Sequence, residues 1–344
     1  MFTLSSAFIR EHYSCHQQSD EEWAKNMVPN KMLGICYFSL GLFFQILYIP
    51  SICALSNWEF RKYSCYKIMI SLAYLDVITI CFNALLTGFL TYQGAVYCTH
   101  PNLIYFSGVF ALACWTAACF LIILLGFSRF IDVWKPRLSS FLFDGYKTWF
   151  YLPLAALYGL YFALFTSPVI FTSHGYAWFF DPYVAIEGNY ENGYIYSNYS
   201  HFANNVAIIV LLTILYILFF IVLFWRYSLN SSSKEMSTMQ HSLFLQSSII
   251  CSVTFIASVI YVMFNFVAVP ESIVILGQIT WILSHSISSA VLIIFNKSVR
   301  RYILLNYMPK SFKILFISNA TVTVIKSTNN TNNPPPVQIP KIIV

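Results

Sequence analysis

The sequence predicts an all-α membrane protein: a seven-transmembrane helix bundle with its N-terminus outside and a short amphipathic interfacial helix after the seventh span. Three observations predict it. Between Met32 and Phe295 lie seven apolar stretches, each of about 20 residues or more, which is the length that crosses a hydrocarbon core of about 30 Å. Hydrophobic residues make up 58% of the 344 residues and charged residues only 9%, with a mean hydropathy of +0.66, far too little charge for a soluble domain. The third observation is where the basic residues fall. The segments joining spans 1–2, 3–4 and 5–6 carry Arg61, Lys62, Lys67, Arg129, Lys135, Arg137, Lys147, Arg226 and Lys234, and those joining spans 2–3, 4–5 and 6–7 carry no Lys or Arg. By the positive-inside rule the first set is cytoplasmic.

Taken in order, residues 1–31 form an extracellular segment. They lack the continuous apolar core and small-residue cleavage site of a signal peptide, so span 1 is expected to direct insertion. Span 1 runs from Met32 to Leu55, with Pro50 near its inner end, and span 2 from Lys67 to Thr91. Span 3 covers Ile104 to Phe127, span 4 Thr148 to Ile170, span 5 Asn204 to Trp225, span 6 Leu243 to Phe266 and span 7 Ile273 to Phe295. The bundle thus occupies residues 32–295. In residues 296–307 basic and apolar positions alternate at helical spacing, the pattern of a helix lying in the inner interface. Residues 308–344 make a cytoplasmic tail whose Asn/Thr/Pro-rich end is expected to be disordered. Its last residues, Ile342-Ile343-Val344, either hang free or add a strand to a PDZ-type partner.

The net charge of +6 does not point to nucleic acid, because most basic residues sit near span ends, where they meet anionic lipid headgroups. Of nine cysteines, six lie within spans and Cys65 in the first inner loop. That leaves Cys15 and Cys98 outside, a natural disulfide pair in an oxidising compartment. Asn198-Tyr199-Ser200 is the outer glycosylation sequon; Asn230, Asn296, Asn319 and Asn329 head matching triplets on the other face.

Asp76 is the acidic residue inside the spans, and an intramembrane carboxylate is costly enough to invite a functional reading. Its setting, Leu72-Ala73-Tyr74-Leu75-Asp76, resembles the LAxxD of rhodopsin-like receptors, where the aspartate lines a water and sodium pocket. Ser286, Ser288 and Ser289 of span 7 are candidate partners, which makes Asp76, Ser286 and Ser289 a candidate switch or ion site. The plainer alternative is a hydrogen-bonded carboxyl that holds helices together. Ser128-Arg129-Phe130-Ile131-Asp132 resembles a degraded D/E-R-Y element, which implies G-protein coupling through Arg129 with Lys135 and Arg137 nearby. An arginine that only anchors topology would look the same. The acidic neighbour of that element is missing, and Asp132 is the residue that could restrain Arg129 instead.

Trp281 and His285 stand four apart on one face of span 7, and Trp115 lies in the outer half of span 3. They either line a ligand pocket or pack the bundle. Trp178, Phe179, Phe180 and Asp181 of the second outer loop form either a lid over that pocket or an interfacial aromatic anchor.

Tyr63-Ser64-Cys65-Tyr66-Lys67-Ile68-Met69 leading into Asp76, Cys98-Thr99-His100-Pro101, Trp178-Phe179-Phe180-Asp181-Pro182, Trp281 to His285 and Asn296 to Arg301 together resemble a nematode serpentine chemoreceptor of class T. The likeness covers about Met32 to Leu305. It implies a multi-pass receptor in the plasma membrane of a chemosensory cell, often its cilium, that detects a small-molecule ligand from the environment and signals through a heterotrimeric G protein. The chain departs from rhodopsin-like receptors in having no CWxP in span 6 and no NPxxY in span 7. No HExxH, GxSxG or paired intramembrane aspartates occur, so no enzyme, metal site or cofactor is expected, and span 7 has no lysine for retinal. The rival reading is a transporter or channel that uses Asp76 as an ion or proton site, for which neither repeated halves nor several intramembrane charges are present.

Overall fold

The computed structural model describes residues 3–186, 193–229 and 238–307. The tail from 308 to 344, with its expected disorder and terminal strand, and Lys234 lie outside the described residues. Seven helices are long and apolar enough to cross a membrane: Lys31–Leu55, Ser64–Gln93, Pro101–Trp134, Lys147–Phe165, Tyr199–Trp225, His241–Met263 and Glu271–Phe295.

Before them come α1 (Ser6–His12) and α2 (Asp20–Lys25). Ser5 caps α1 by accepting from the Phe8 N–H. Ser19 and Glu22 form a reciprocal capping box on α2, which satisfies two otherwise unpaired N–H groups. Those bonds from Ser19 hold the exposed Glu22 carboxyl below its ordinary pKa.

The first span is α3 (Lys31–Leu55), followed by the short α4 (Trp58–Arg61). The second is broken into α5 (Ser64–Ile80), a π-helical stretch Cys81–Leu86 and α6 (Thr87–Gln93). Such a stretch inserts an extra residue into the turn, and here Asn83 within it is fully buried. α3 and α6 cross at glycines: a Cβ at Gly34 would lie 2.7 Å from the Gly88 carbonyl oxygen. In a bilayer, where lipid is as apolar as any side chain, such close backbone approach is what holds helices together.

The third span, α7 (Pro101–Trp134), begins at a proline, whose missing N–H would be unpaired there anyway, and ends just before Pro136. It outlasts the expected Phe127, so Arg129 sits inside the helix, more than a turn from its end. α8 (Pro136–Phe143) lies in the loop between the third and fourth spans, and α9 (Tyr151–Phe165) is the fourth span. The expected end of that span at Ile170 does not hold. Thr166 is already extended, and Ser167 precedes Pro168, which disfavours the helical region. The chain thus freed forms a hairpin, β1 (Ile170–Thr172) with β2 (Ala177–Phe179), in antiparallel register with Phe171 opposite Trp178. α10 (Tyr199–Leu229), α11 (Thr238–Met263) and α12 (Glu271–Phe295) are the last three spans, and α13 (Lys297–Tyr307) follows.

α7 is the hub, packed against α5, α9, α10 and α11. Its apolar window is 72% buried, against 17% for α10, which is therefore the span most given over to lipid. The hairpin and the N-terminal segment roof one end of the bundle. A Cβ at Gly108 would overlap the Val169 carbonyl, so the hairpin's base rests directly on the α7 backbone. Thr3 N–H donates to the Leu164 carbonyl at 2.9 Å, and the Tyr105, Tyr97 and Tyr196 hydroxyls donate to the carbonyls of Thr3, Tyr13 and His12 at 2.7, 3.2 and 2.7 Å. A disulfide joins Cys15 to Cys98 across 83 residues of sequence, tying this segment to the foot of α7.

Candidate functional site

Under the roof lies a cavity of about 40 Å³, lined by Leu112, Trp115, Val169, Trp178, Phe180, His201, Tyr261 and Trp281. Five elements meet there: α7, the hairpin with the residues flanking it, α10, α11 and α12. The rings form a continuous box, with Phe180 5.1 Å from His201, and Tyr261 within 6.1 to 6.5 Å of His201, Trp115 and Trp281. The volume holds one or two waters, well below the several hundred cubic ångströms of a typical ligand site.

The polar atoms of the box are mostly committed. Trp178 Nε1–H donates to Thr87 Oγ1 at 2.8 Å, which pins the hairpin to the second span. Trp115 Nε1–H donates to Asn205 Oδ1 at 3.1 Å, and since an indole can only donate, the Asn205 amide is oriented. Its Nδ2 then faces His201 Nε2 at 3.3 Å, which makes Nε2 the acceptor and leaves the imidazole proton on Nδ1. Trp281 Nε1–H is buried without a partner among the described residues.

Directly beneath, the Trp115 ring packs on His285 with centroids 5.8 Å apart. His285 Nδ1 lies 2.8 Å from Asp76 Oδ1, and the Tyr48 hydroxyl lies 2.8 Å from Asp76 Oδ2 and 2.7 Å from the His285 carbonyl oxygen. Ser288 adjoins the same carboxyl. All of these side chains are buried. Tyr48 has one proton and two oxygen neighbours at bonding distance. The two contacts fit either a Tyr48 proton shared between both oxygens or, in a neutral arrangement, a protonated Asp76 that donates to Tyr48, which donates on to the carbonyl. In that neutral arrangement the His285 Nδ1–H donates a hydrogen bond to Asp76 Oδ1, and Nε2 is an acceptor without a partner among the described residues. The ionic alternative would place an unpartnered N–H of an imidazolium in a dry interior, which costs far more than an unused lone pair.

At the opposite, basic end, Arg129 Nη2 meets Asp132 Oδ2 at 2.8 Å, with the two side chains 11% and 31% exposed. Ser139 of α8 donates to the other Asp132 oxygen, so the pair also fastens the inner loop. Arg129 Nε is buried and unpartnered among the described residues. Lys135 lies 4.4 Å over the Trp134 ring, and Arg137 is exposed.

The structure therefore brings Trp115, Trp281, Trp178 and Phe180 together at one cavity, with His285 a layer below, bonded to Asp76. Ser289 Oγ donates to the Ser286 carbonyl at 2.9 Å, and Ser286 Oγ is buried without a partner among the described residues; the serine beside the carboxyl is Ser288. Phe179 faces Gly175. Asp181 accepts from the Tyr183 N–H at 2.9 Å, and partial burial holds its carboxyl above its ordinary pKa. Asn198 is 7% exposed. Its Oδ1 accepts from the His201 N–H, capping α10, and its Nδ2 donates to the Ser167 carbonyl, both at 2.8 Å, so the nitrogen that a glycan would occupy is engaged with the chain before the hairpin. Sequence reasoning missed Tyr48, His201, Asn205 and Tyr261. Polar residues deep in apolar spans were the available signal.

A sequence profile of the family described as "Serpentine type 7TM GPCR chemoreceptor Srt" matches residues 1–315. The chain is also 28% identical over 307 residues to serpentine receptor class T-55 of Caenorhabditis elegans, covering 87% of this chain and 81% of that relative. With the seven-helix bundle in place, the match over nearly the whole described structure shows that the chain belongs to the Srt family of serpentine seven-transmembrane chemoreceptors.

Proposed function

We propose that the protein is a chemosensory G-protein-coupled receptor that binds a small environmental molecule in the aromatic cavity and signals to a heterotrimeric G protein from its basic end. It acts in the plasma membrane, in a sensory cilium, with the hairpin end outside as the charge distribution requires. The observation that carries the reading is the Trp115 ring, which packs on both the cavity wall and His285. A ligand that shifts Trp115 shifts the imidazole that Asp76 and Tyr48 hold, and so changes how α3, α5 and α12 meet. Arg129 is the coupling residue, with Lys135 and Arg137 beside it, and Asp132 restrains it at rest. Trp178, Phe179, Phe180 and Asp181 belong to the lid. Asp76 is the switch that helix rearrangement breaks, with Ser286 and Ser289 on the adjoining face of α12.

The test is a panel of volatile compounds applied to cells expressing the receptor, with G-protein activation as the readout. A hit is expected whose potency falls in Trp115→Ala at matched surface expression. A response that survives that change unaltered would place the ligand elsewhere. The buried Asp76–His285 pair also suits an ion or proton site in a transporter. Uptake in cells lacking G proteins would favour that alternative.

A further inference from the structure

The hydrogen-bond inventory of the cavity says what chemistry its guest has. Resting on the reading that this cavity is the ligand site, we infer that the ligand is a small neutral hydrogen-bond acceptor, a carbonyl or ether compound without a donor or a charge, held by Trp281 Nε1–H and His201 Nδ1–H.

Two residues that line the box, Trp281 and His201, carry ring N–H donors for which the described residues supply no acceptor. Trp281 is 5% exposed and its indole N–H has no partner among the described residues. The His201 proton sits on Nδ1 because Nε2 accepts from Asn205, whose own orientation is set by the Trp115 indole. Both rings pack against Tyr261 and both residues line the same cavity. Acceptors are nearly absent from the same walls. The indoles of Trp115 and Trp178 donate elsewhere, and Leu112, Val169 and Phe180 are apolar. The Tyr261 hydroxyl, 3.5 Å from the Gly277 carbonyl, is the one oxygen among the lining side chains.

A buried donor without an acceptor is destabilising, so a guest that brings an acceptor gains what the empty cavity lacks. An alcohol supplies an acceptor but leaves its own proton poorly matched. A carboxylate would enter a dry box with no cation in its wall. An ammonium ion is drawn to aromatic faces, but here it meets the positive ends of two N–H dipoles and no carboxylate.

The experiment uses the full chain in lipid nanodiscs and measures binding of butanone, cyclohexanone and acetophenone, each beside the alcohol, primary amine and hydrocarbon of the same skeleton. The ketone that fits is expected to bind roughly tenfold tighter than its hydrocarbon, about what one or two neutral hydrogen bonds supply, with the alcohol between them and the amine weakest. Trp281→Phe removes the N–H together with the five-membered ring of a buried indole, so each ketone is compared with its own hydrocarbon within the variant. The ketone-to-hydrocarbon affinity ratio is expected to fall to near one, a readout that general loosening of the pocket, which weakens both ligands alike, would not move. An amine or alcohol binding tighter than its ketone, or a preference that survives Trp281→Phe, overturns the inference while leaving the cavity as ligand site. Binding that Trp115→Ala does not affect, or no binding on any skeleton, overturns the site itself and the inference with it.

Discussion

Replacing Asp76 by asparagine tests the proton count at the centre of the bundle. In the neutral arrangement, Asn Oδ1 accepts from His285 Nδ1–H, and Asn Nδ2 donates to the Tyr48 oxygen, which still donates to the His285 carbonyl. Every contact now at 2.7 to 2.8 Å has a counterpart, so the change in unfolding free energy should stay within about 1 kcal/mol. Were the pair ionic, asparagine would strip a buried imidazolium of its counter-charge, a loss of about 3–5 kcal/mol. Asp76→Leu removes the acceptor for His285 and the donor to Tyr48 together and should cost about 2–5 kcal/mol. Tyr48→Phe leaves the Asp76 proton unpartnered, while the His285 carbonyl keeps its helical bond from the Ser289 N–H, for about 1–3 kcal/mol. The assay is equilibrium unfolding of the purified receptor in mixed micelles. An asparagine variant as unstable as the leucine variant would refute the neutral network.

Four further outcomes follow from the geometry. Asp132→Asn should raise basal G-protein activation. The pair is partly solvated, so its loss is worth roughly 0.5–1 kcal/mol, up to about a fivefold rise in active fraction. Arg129→Ala should abolish signalling with ligand binding nearly intact, and full rescue by Arg129→Lys would reduce Arg129 to a topology anchor. Cys98→Ser should lower surface expression, since closing a loop of this length contributes up to about 4 kcal/mol; peptide mapping of surface protein that finds Cys98 as a free thiol would contradict the tether. Asn198→Ala should cost about 1 kcal/mol as a lost helix cap and reduce surface expression, whereas Ser200→Ala, which removes the sequon and keeps the cap, should not. Equal losses in the two would assign the effect to a glycan.

Much of the fold is legible in the sequence because spanning a bilayer is a local property. A window of about 20 residues either is apolar enough or is not, and the seven windows appear as seven helices. Asp76 stands out for the same reason, as a carboxylate where any charge is costly. The end of the fourth span was not legible from apolarity, since Val169, Ile170 and Phe171 are as hydrophobic as what precedes them. Only the backbone restriction before Pro168 separates helix from hairpin. Tyr48, Asn205, His201 and Tyr261 were passed over because a neutral polar side chain in a span is commonplace until its neighbour is known.

The sequence by itself determined that the chain lies in a membrane, how many times it crosses and which loops carry the basic charge, because hydropathy and charge are summed along the chain. The tertiary structure alone decided which faces meet: that Ser288 rather than Ser286 or Ser289 adjoins Asp76, that His285 belongs beneath the cavity, and that Arg129 finds Asp132. Lipid and protein interior are equally apolar, so hydrophobic periodicity carries little record of how a membrane helix is rotated. Packing and hydrogen bonds between residues distant in sequence set that rotation.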